Sequence, residues 1–227
     1  PATNLLVSLF FAKNRFMQVV VLGNDEPKNE LLQDTTDNGA EVVWVADVDS
    51  FLNYPSADIF IDLLYDNSDS RKSILRRLPV PVLINSVTDT LAETEESFIR
   101  INGWPTFLKG KIIEATCLQE EKKGKVEKAL SHLGKEVEWL QDVPGFVTPR
   151  VVSMIINEAF LALEEGVSTP EEIDTAMKLG TAYPYGPFEW SKKIGLQNIA
   201  TLLQTLSATQ PRYTPAPLLL HEVDKAI

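Results

Sequence analysis

Short runs of β-branched residues alternate with polar, helix-like stretches through the first 140 or so positions. Val19–Leu22, Glu41–Ala46, Ile59–Leu64, Val80–Ile84 and Ile112–Ala115 each read as a buried strand bounded by turn or polar residues. Helical candidates lie between them at Pro27–Asn38, Ser70–Leu78 and Ala92–Ile101. Alternation of this kind predicts βαβ units and a parallel sheet covered on both faces. Lys122–Leu133 continues the pattern as an amphipathic helix, and Val137–Leu140 as a further short strand.

The period changes at Asp142-Val143-Pro144-Gly145-Phe146. From there Val151, Met154, Ile155, Ala159, Leu161 and Leu163 form a wide apolar stripe at helical spacing. Thr148 is the expected N-cap, with Pro149 at the first helical position, and Gly166 the expected left-handed stop. Thr169-Pro170-Glu171-Glu172 opens the next helix as a capping box, and Gly180 is expected to close it. Tyr183-Pro184-Tyr185-Gly186-Pro187 breaks helix, whereas Leu196–Leu206 permits it. The chain is therefore expected to divide near residue 142, into an α/β part at 1–141 and an all-helical part at 142–227.

Composition narrows the function. The 227 residues carry 21 Lys plus Arg against 32 Asp plus Glu, a net charge of −11. That balance argues against a nucleic-acid binder, which needs a basic face. The single cysteine, Cys117, rules out an internal disulfide framework and fits a reducing, cytoplasmic compartment. It reads as a buried structural thiol, because no histidine stands near it in sequence. Two histidines, His132 and His221, leave no histidine-rich metal site, and no metal is expected. The run Leu5–Ala12 is too short to span a membrane and lacks the flanks of a secretory signal. It reads as an extra edge strand or an extension ahead of Met17.

The second half carries a resemblance. Asp142-Val143-Pro144-Gly145-Phe146-Val147, Ile156-Asn157-Glu158-Ala159, Glu165-Gly166-Val167, Glu172-Ile173-Asp174-Thr175-Ala176-Met177-Lys178-Leu179-Gly180, Tyr183 to Glu189 and Arg212 to Leu219 follow one another as in the 3-hydroxyacyl-CoA dehydrogenase family. The resemblance covers residues 142–220. It implies a Rossmann-like α/β domain with a shortened parallel sheet, followed by an all-α domain that pairs subunits into homodimers and closes an acyl-CoA and NAD cleft. Packing and capping explain most of these motif residues equally well.

In the first half the resemblance is partial. A dinucleotide fold wants Gly-x-Gly-x-x-Gly after its first strand, so that backbone can approach the pyrophosphate at a helix N-terminus. Here Gly23 matches the first glycine, while Asp25 and Lys28 replace the other two. Asp47 lies 24 positions after Gly23, near the spacing of a ribose-binding acid, and reads equally as a solvated turn aspartate. By resemblance Asp66 and Arg71 stand near the nicotinamide half, and Asn85 ends the next strand beside the cofactor. The long helical excursion that the family places between its ribose acid and its fourth strand is missing between Asp47 and Ala57, which weakens the expected grip on acyl-CoA.

Oxidising a secondary alcohol needs a base for the hydroxyl proton while hydride leaves to NAD. The family's base is a histidine held by a glutamate. By resemblance the glutamate is Glu114, and the base position falls on Asn102, whose amide accepts no proton near neutral pH. The family's asparagine falls on Pro149, and its serine near Val87 or Asp89, with Ser86 the nearest hydroxyl. The expected function is thus a 3-hydroxyacyl-CoA dehydrogenase-like protein with impaired catalysis, in which Glu114→Gln alters turnover little. Two alternatives stay open: a non-catalytic acyl-CoA or nucleotide binder or partner subunit, and a different oxidoreductase reaction using Glu114 or Asp66 as acid or base.

Overall fold

The computed structural model describes residues 16–33 and 39–225. Seven strands, β1 (Met17–Leu22), β2 (Ala40–Val45), β3 (Ile59–Asp62), β4 (Val82–Asn85), β5 (Ile99–Ile101), β6 (Ile112–Thr116) and β7 (Glu136–Trp139), form one sheet in the order β2-β1-β3-β4-β5-β6-β7. Every neighbouring pair is parallel except β5 and β6, so the sheet is mostly rather than wholly parallel. The central strands β1, β3 and β4 are mostly apolar because both faces are covered. Val19, Val21, Ile61, Leu83 and Ile101 pack with Leu31 of helix α1 (Asp25–Leu32) and with Val126 and Leu130 of α3 (Glu120–Ser131). Val20, Leu22, Phe60 and Ile84 pack on the other face with Phe51 and with Leu75 of α2 (Asp69–Leu75).

Five helices follow: α4 (Thr148–Glu164), α5 (Pro170–Thr181), α6 (Pro187–Ile194), α7 (Leu196–Ser207) and α8 (Pro217–Lys225). Their core gathers Ile156, Phe160, Phe188, Trp190, Ile199 and Leu203, and also takes in Val87 and Trp104 from beyond the ends of the sheet strands. Motif residues act here as joints. Asn157 donates to the Thr214 carbonyl and accepts from the Ala216 N–H (3.0 and 2.7 Å). Asp174 accepts from the N–H groups of Phe188 and Glu189 at the start of α6 (2.8 and 3.1 Å). A Cβ on Gly186 would overlap the Asp174 carboxyl, so glycine is required there for close approach.

Several expectations change. The segment read as a helix over Ala92–Ile101 is turns followed by β5, because pairing of Ile99–Ile101 with β4 and β6 overrides local propensity. Helix α1 ends at Leu32, and the proposed continuation through 34–38 lies outside the described residues, as does the Leu5–Ala12 run. Val147, not Thr148, takes the cap position of α4, since the Thr148 hydroxyl is used elsewhere. Gly180 does not close α5, which runs to Thr181 and stops at Ala182 in the left-handed region (φ 57°). The capping box of Thr169 and Glu172 forms, and Gly166 adopts φ 68°. Pro187 begins α6, and neither α6 nor α8 is signalled by the sequence pattern. Among the described residues no helix is long and apolar enough to cross a membrane.

Candidate functional site

The end of β5 and the middle of β6 bring Asn102 and Glu114 together. Register places the two backbones side by side, with the Asn102 N–H donating to the Glu114 carbonyl at 3.0 Å. Both side chains are buried, 3% and 7% exposed. Glu114 Oε2 accepts from Asn102 Nδ2 at 3.1 Å and from the Thr148 hydroxyl at 2.7 Å, and Oε1 accepts from the N–H groups of Val147 and Thr148 at 3.2 and 2.9 Å. The carboxylate thereby satisfies donors at the start of α4, as a capping side chain would, and its negative charge suits that helix end. All four of its hydrogen bonds are internal. Asn102 also donates to Thr148 Oγ1 (3.1 Å) and accepts from the Trp104 N–H (3.3 Å).

Asn85 ends β4, accepts from the Gly103 N–H (3.0 Å) and donates to the Leu63 carbonyl (3.2 Å). A Cβ on Gly103 would come within 2.7 Å of the Asn85 side chain, so this crossing also needs glycine. Beside it lies a polar cleft of about 260 Å³ past the C-terminal ends of β3 and β4, reached by Asp66, Asn85, Ser86 and Asp89, with Trp104 on one wall and Asn198 and Thr201 of α7 opposite. A second cavity of about 630 Å³, apolar in lining, contains Asn102, Glu114 and Thr148 together with Phe107, Ile112 and Val147. The two cavities share no lining residue. Trp104, buried against the core that holds Val87 and Phe146, belongs to the first alone.

The remaining predicted positions are held locally. Asp66 accepts from the N–H and hydroxyl of Ser68 (3.0 and 2.7 Å), which hold its carboxyl below the usual range, and lies 3.6 Å from Arg71. Arg71 forms a bidentate pair with the fully buried Asp62 (2.6 and 2.7 Å). Asp47 accepts from the N–H and hydroxyl of Ser50, both at 2.8 Å, and these bonds hold its carboxyl down. It closes the turn into a short 3-10 segment, Asp49–Asn53. A Cβ on Gly23 would meet Leu63 and Trp44 side chains at 3.2 Å, so packing alone explains that glycine. Asp25 and Glu26 occupy the first turn of α1, where a pyrophosphate would approach, and two carboxylates there oppose phosphate. These residues do not fit a dinucleotide's pyrophosphate. His132 follows α3 and His221 lies in α8, and neither lines the two cavities. Cys117 is half-buried, its thiol donating to the Gln119 carbonyl at 3.2 Å and pushed up by burial. Among the described residues no group of three or more His, Cys, Asp or Glu could hold a metal ion.

Arg100 is the residue that sequence reasoning missed. Fully buried in β5, it pairs with Asp142, donates to the carbonyls of Ser86 (3.0 Å) and Val87 (3.3 Å) and lies over the Phe146 ring at 4.9 Å. Asp142 also accepts from the Leu91 N–H at 2.8 Å. The segment that leads from β7 to α4 is thus fastened to β5 by an ion pair whose Arg100 also holds the residues after β4. Only the placement of Arg100 between two isoleucines, an alternation that suits a strand, hinted at it.

A mostly parallel α/β half is thus joined to a helical half through the contacts of Arg100 with Asp142 and of Glu114 with Thr148. Residues 145–226 match the family described as 3-hydroxyacyl-CoA dehydrogenase, C-terminal domain. The chain is 41% identical over 115 residues to the 3-hydroxyadipyl-CoA dehydrogenase of Escherichia coli, covering 48% of this chain and 24% of that protein. It is 30% identical over 180 residues to a probable 3-hydroxybutyryl-CoA dehydrogenase of Bacillus subtilis, covering 72% and 63%. It therefore spans less than two thirds of the length of either relative. Its fold is similar to the crystal structure of (S)-3-hydroxybutyryl-CoA dehydrogenase from Ralstonia eutropha, with TM-score 0.71, 23% identity and 93% and 94% of the two chains covered. The chain belongs to the 3-hydroxyacyl-CoA dehydrogenase family.

Proposed function

We propose that this chain is a family member in which NAD-dependent oxidation of 3-hydroxyacyl-CoA is severely impaired, and that it acts as a binding protein or partner subunit. One observation carries the reading. At the base position Asn102 is engaged within the protein by Glu114, Thr148 and the Trp104 N–H, at 3.1, 3.1 and 3.3 Å. Asn102 accepts no proton near neutral pH, and all four hydrogen bonds that Glu114 accepts come from inside the protein. The relatives' names make 3-hydroxybutyryl-CoA and 3-hydroxyadipyl-CoA the substrates to try, with NAD as the family's cofactor. The acidic first turn of α1 argues for weak NAD binding. Calorimetric titration of the unmodified chain with NAD tests this. The expected result is no saturation at micromolar concentrations, and low-micromolar affinity contradicts it.

Assembly as a homodimer through the helical half belongs to the same proposal. An apolar groove of about 640 Å³ runs between α4 and α5, lined by Val151, Met154, Ile155, Ile173 and Met177. Val151 in this groove is 53% exposed, an apolar surface of the kind that a partner covers.

A further inference from the structure

The polar cleft past β3 and β4 has the chemistry of a ligand site in its own right. Its lining contains two carboxylates, Asp66 and Asp89, and no lysine, arginine or histidine. Asp66 is engaged by Ser68 and lies 3.6 Å from Arg71, whereas the Asp89 carboxylate, within the field of Arg100, accepts a side-chain hydrogen bond from Asn67 Nδ2 at 3.4 Å. Ser86 is 5% exposed and lines the cleft, yet its hydroxyl has no hydrogen-bond partner among the described residues and is not enclosed by the protein. A hydroxyl so deeply placed ordinarily finds a partner, and here the space it reaches is the cleft. Asn67, at φ 57°, is fixed by accepting from the Tyr65 hydroxyl at 3.1 Å, which holds the carboxamide at the rim. Trp104 and Pro105 add one apolar wall.

The unpartnered Ser86 hydroxyl and the two carboxylates together favour a donor-rich ligand over an anionic one. We propose that this cleft binds a small polyhydroxylated molecule of monosaccharide size, uncharged or amine-bearing and without phosphate. The proposal rests on the reading that the cleft no longer serves a dinucleotide. Ser86 supplies one hydrogen bond to a ligand hydroxyl, and Asp89 accepts from a hydroxyl or ammonium.

The test uses the full chain with D-glucosamine, D-glucose and D-glucose 6-phosphate, which share a ring and differ in charge. Ligand-observed NMR in mildly acidic buffer, where the amine is protonated, is expected to give weak, saturable binding in that order, with the phosphate weakest. Ser86→Ala should weaken glucosamine and glucose alike by about fivefold, the effect of one hydrogen bond. Asp89→Asn should weaken glucosamine by about tenfold while glucose changes by less than about threefold, because charge-assisted bonds are stronger. Melting temperatures within those of the unmodified chain establish that both variants fold. Preferred binding of the phosphate, or binding indifferent to both folded variants, overturns the proposal. Low-micromolar NAD that displaces the sugars overturns the reading beneath it as well. Absence of saturable sugar binding, with NAD also weak, overturns the proposal alone.

Discussion

Glu114 gathers donors from β5 and from the start of α4, and its loss is a matter of folding as much as of chemistry. A glutamine there keeps one acceptor and turns an amide towards Asn102 Nδ2 and the Thr148 hydroxyl, which both donate to the carboxylate now. Glu114→Gln is expected to cost about 1–3 kcal/mol, the range for leaving buried polar groups unpaired. Urea unfolding at neutral pH measures it, and an unchanged midpoint would show that the carboxylate holds nothing. The family resemblance paired Asn102 with Glu114, and the structure brings them together because β5, expected as helix, pairs antiparallel with β6. Thr148 was not legible as their partner, because its hydroxyl looks like a cap from sequence and is instead drawn 34 positions away to Glu114. Arg100 was illegible for a similar reason. Its meaning lies in Asp142, 42 positions away, and the local pattern over 92–101 satisfies a helix equally well.

Elements were readable where local chemistry decides them and unreadable where packing does. The box of Thr169 and Glu172 forms as its residues dictate. Gly180 and Gly186, by contrast, look alike in sequence and differ in the fold. Gly180 sits inside α5 with open space around its missing side chain, while Gly186 is pressed against Asp174. Gly180→Ala is therefore expected to stabilise the protein by about 0.5–1 kcal/mol, through helix propensity and lost unfolded-chain freedom. Gly186→Ala is expected to destabilise it by about 1–3 kcal/mol through overpacking. Differential scanning calorimetry of the pair would show melting temperatures moving in opposite directions. Two shifts of the same sign would contradict the assignment of these helix ends.

The whole molecule is a sheet and a helical bundle fastened at Arg100–Asp142 and at Glu114–Thr148, and it leaves the apolar face of α4 and α5 uncovered within one chain. Light scattering at micromolar concentration is expected to report a dimer, and Val151→Glu to convert it to a monomer, because a charge on that face has no partner to receive it. A monomeric unmodified chain would contradict this assembly.

The most direct test of the proposed function is NAD reduction by the unmodified chain and by Asn102→His, with 3-hydroxybutyryl-CoA as substrate. A general base contributes roughly a hundred- to ten-thousand-fold to such a reaction. Restoring an imidazole alone leaves Pro149 where, by resemblance, the family's asparagine would be. The prediction is negligible turnover for the unmodified chain and little recovery in Asn102→His. Robust turnover by the unmodified chain that collapses in Glu114→Gln, with the variant still folded, would contradict it and would make Glu114 itself the base.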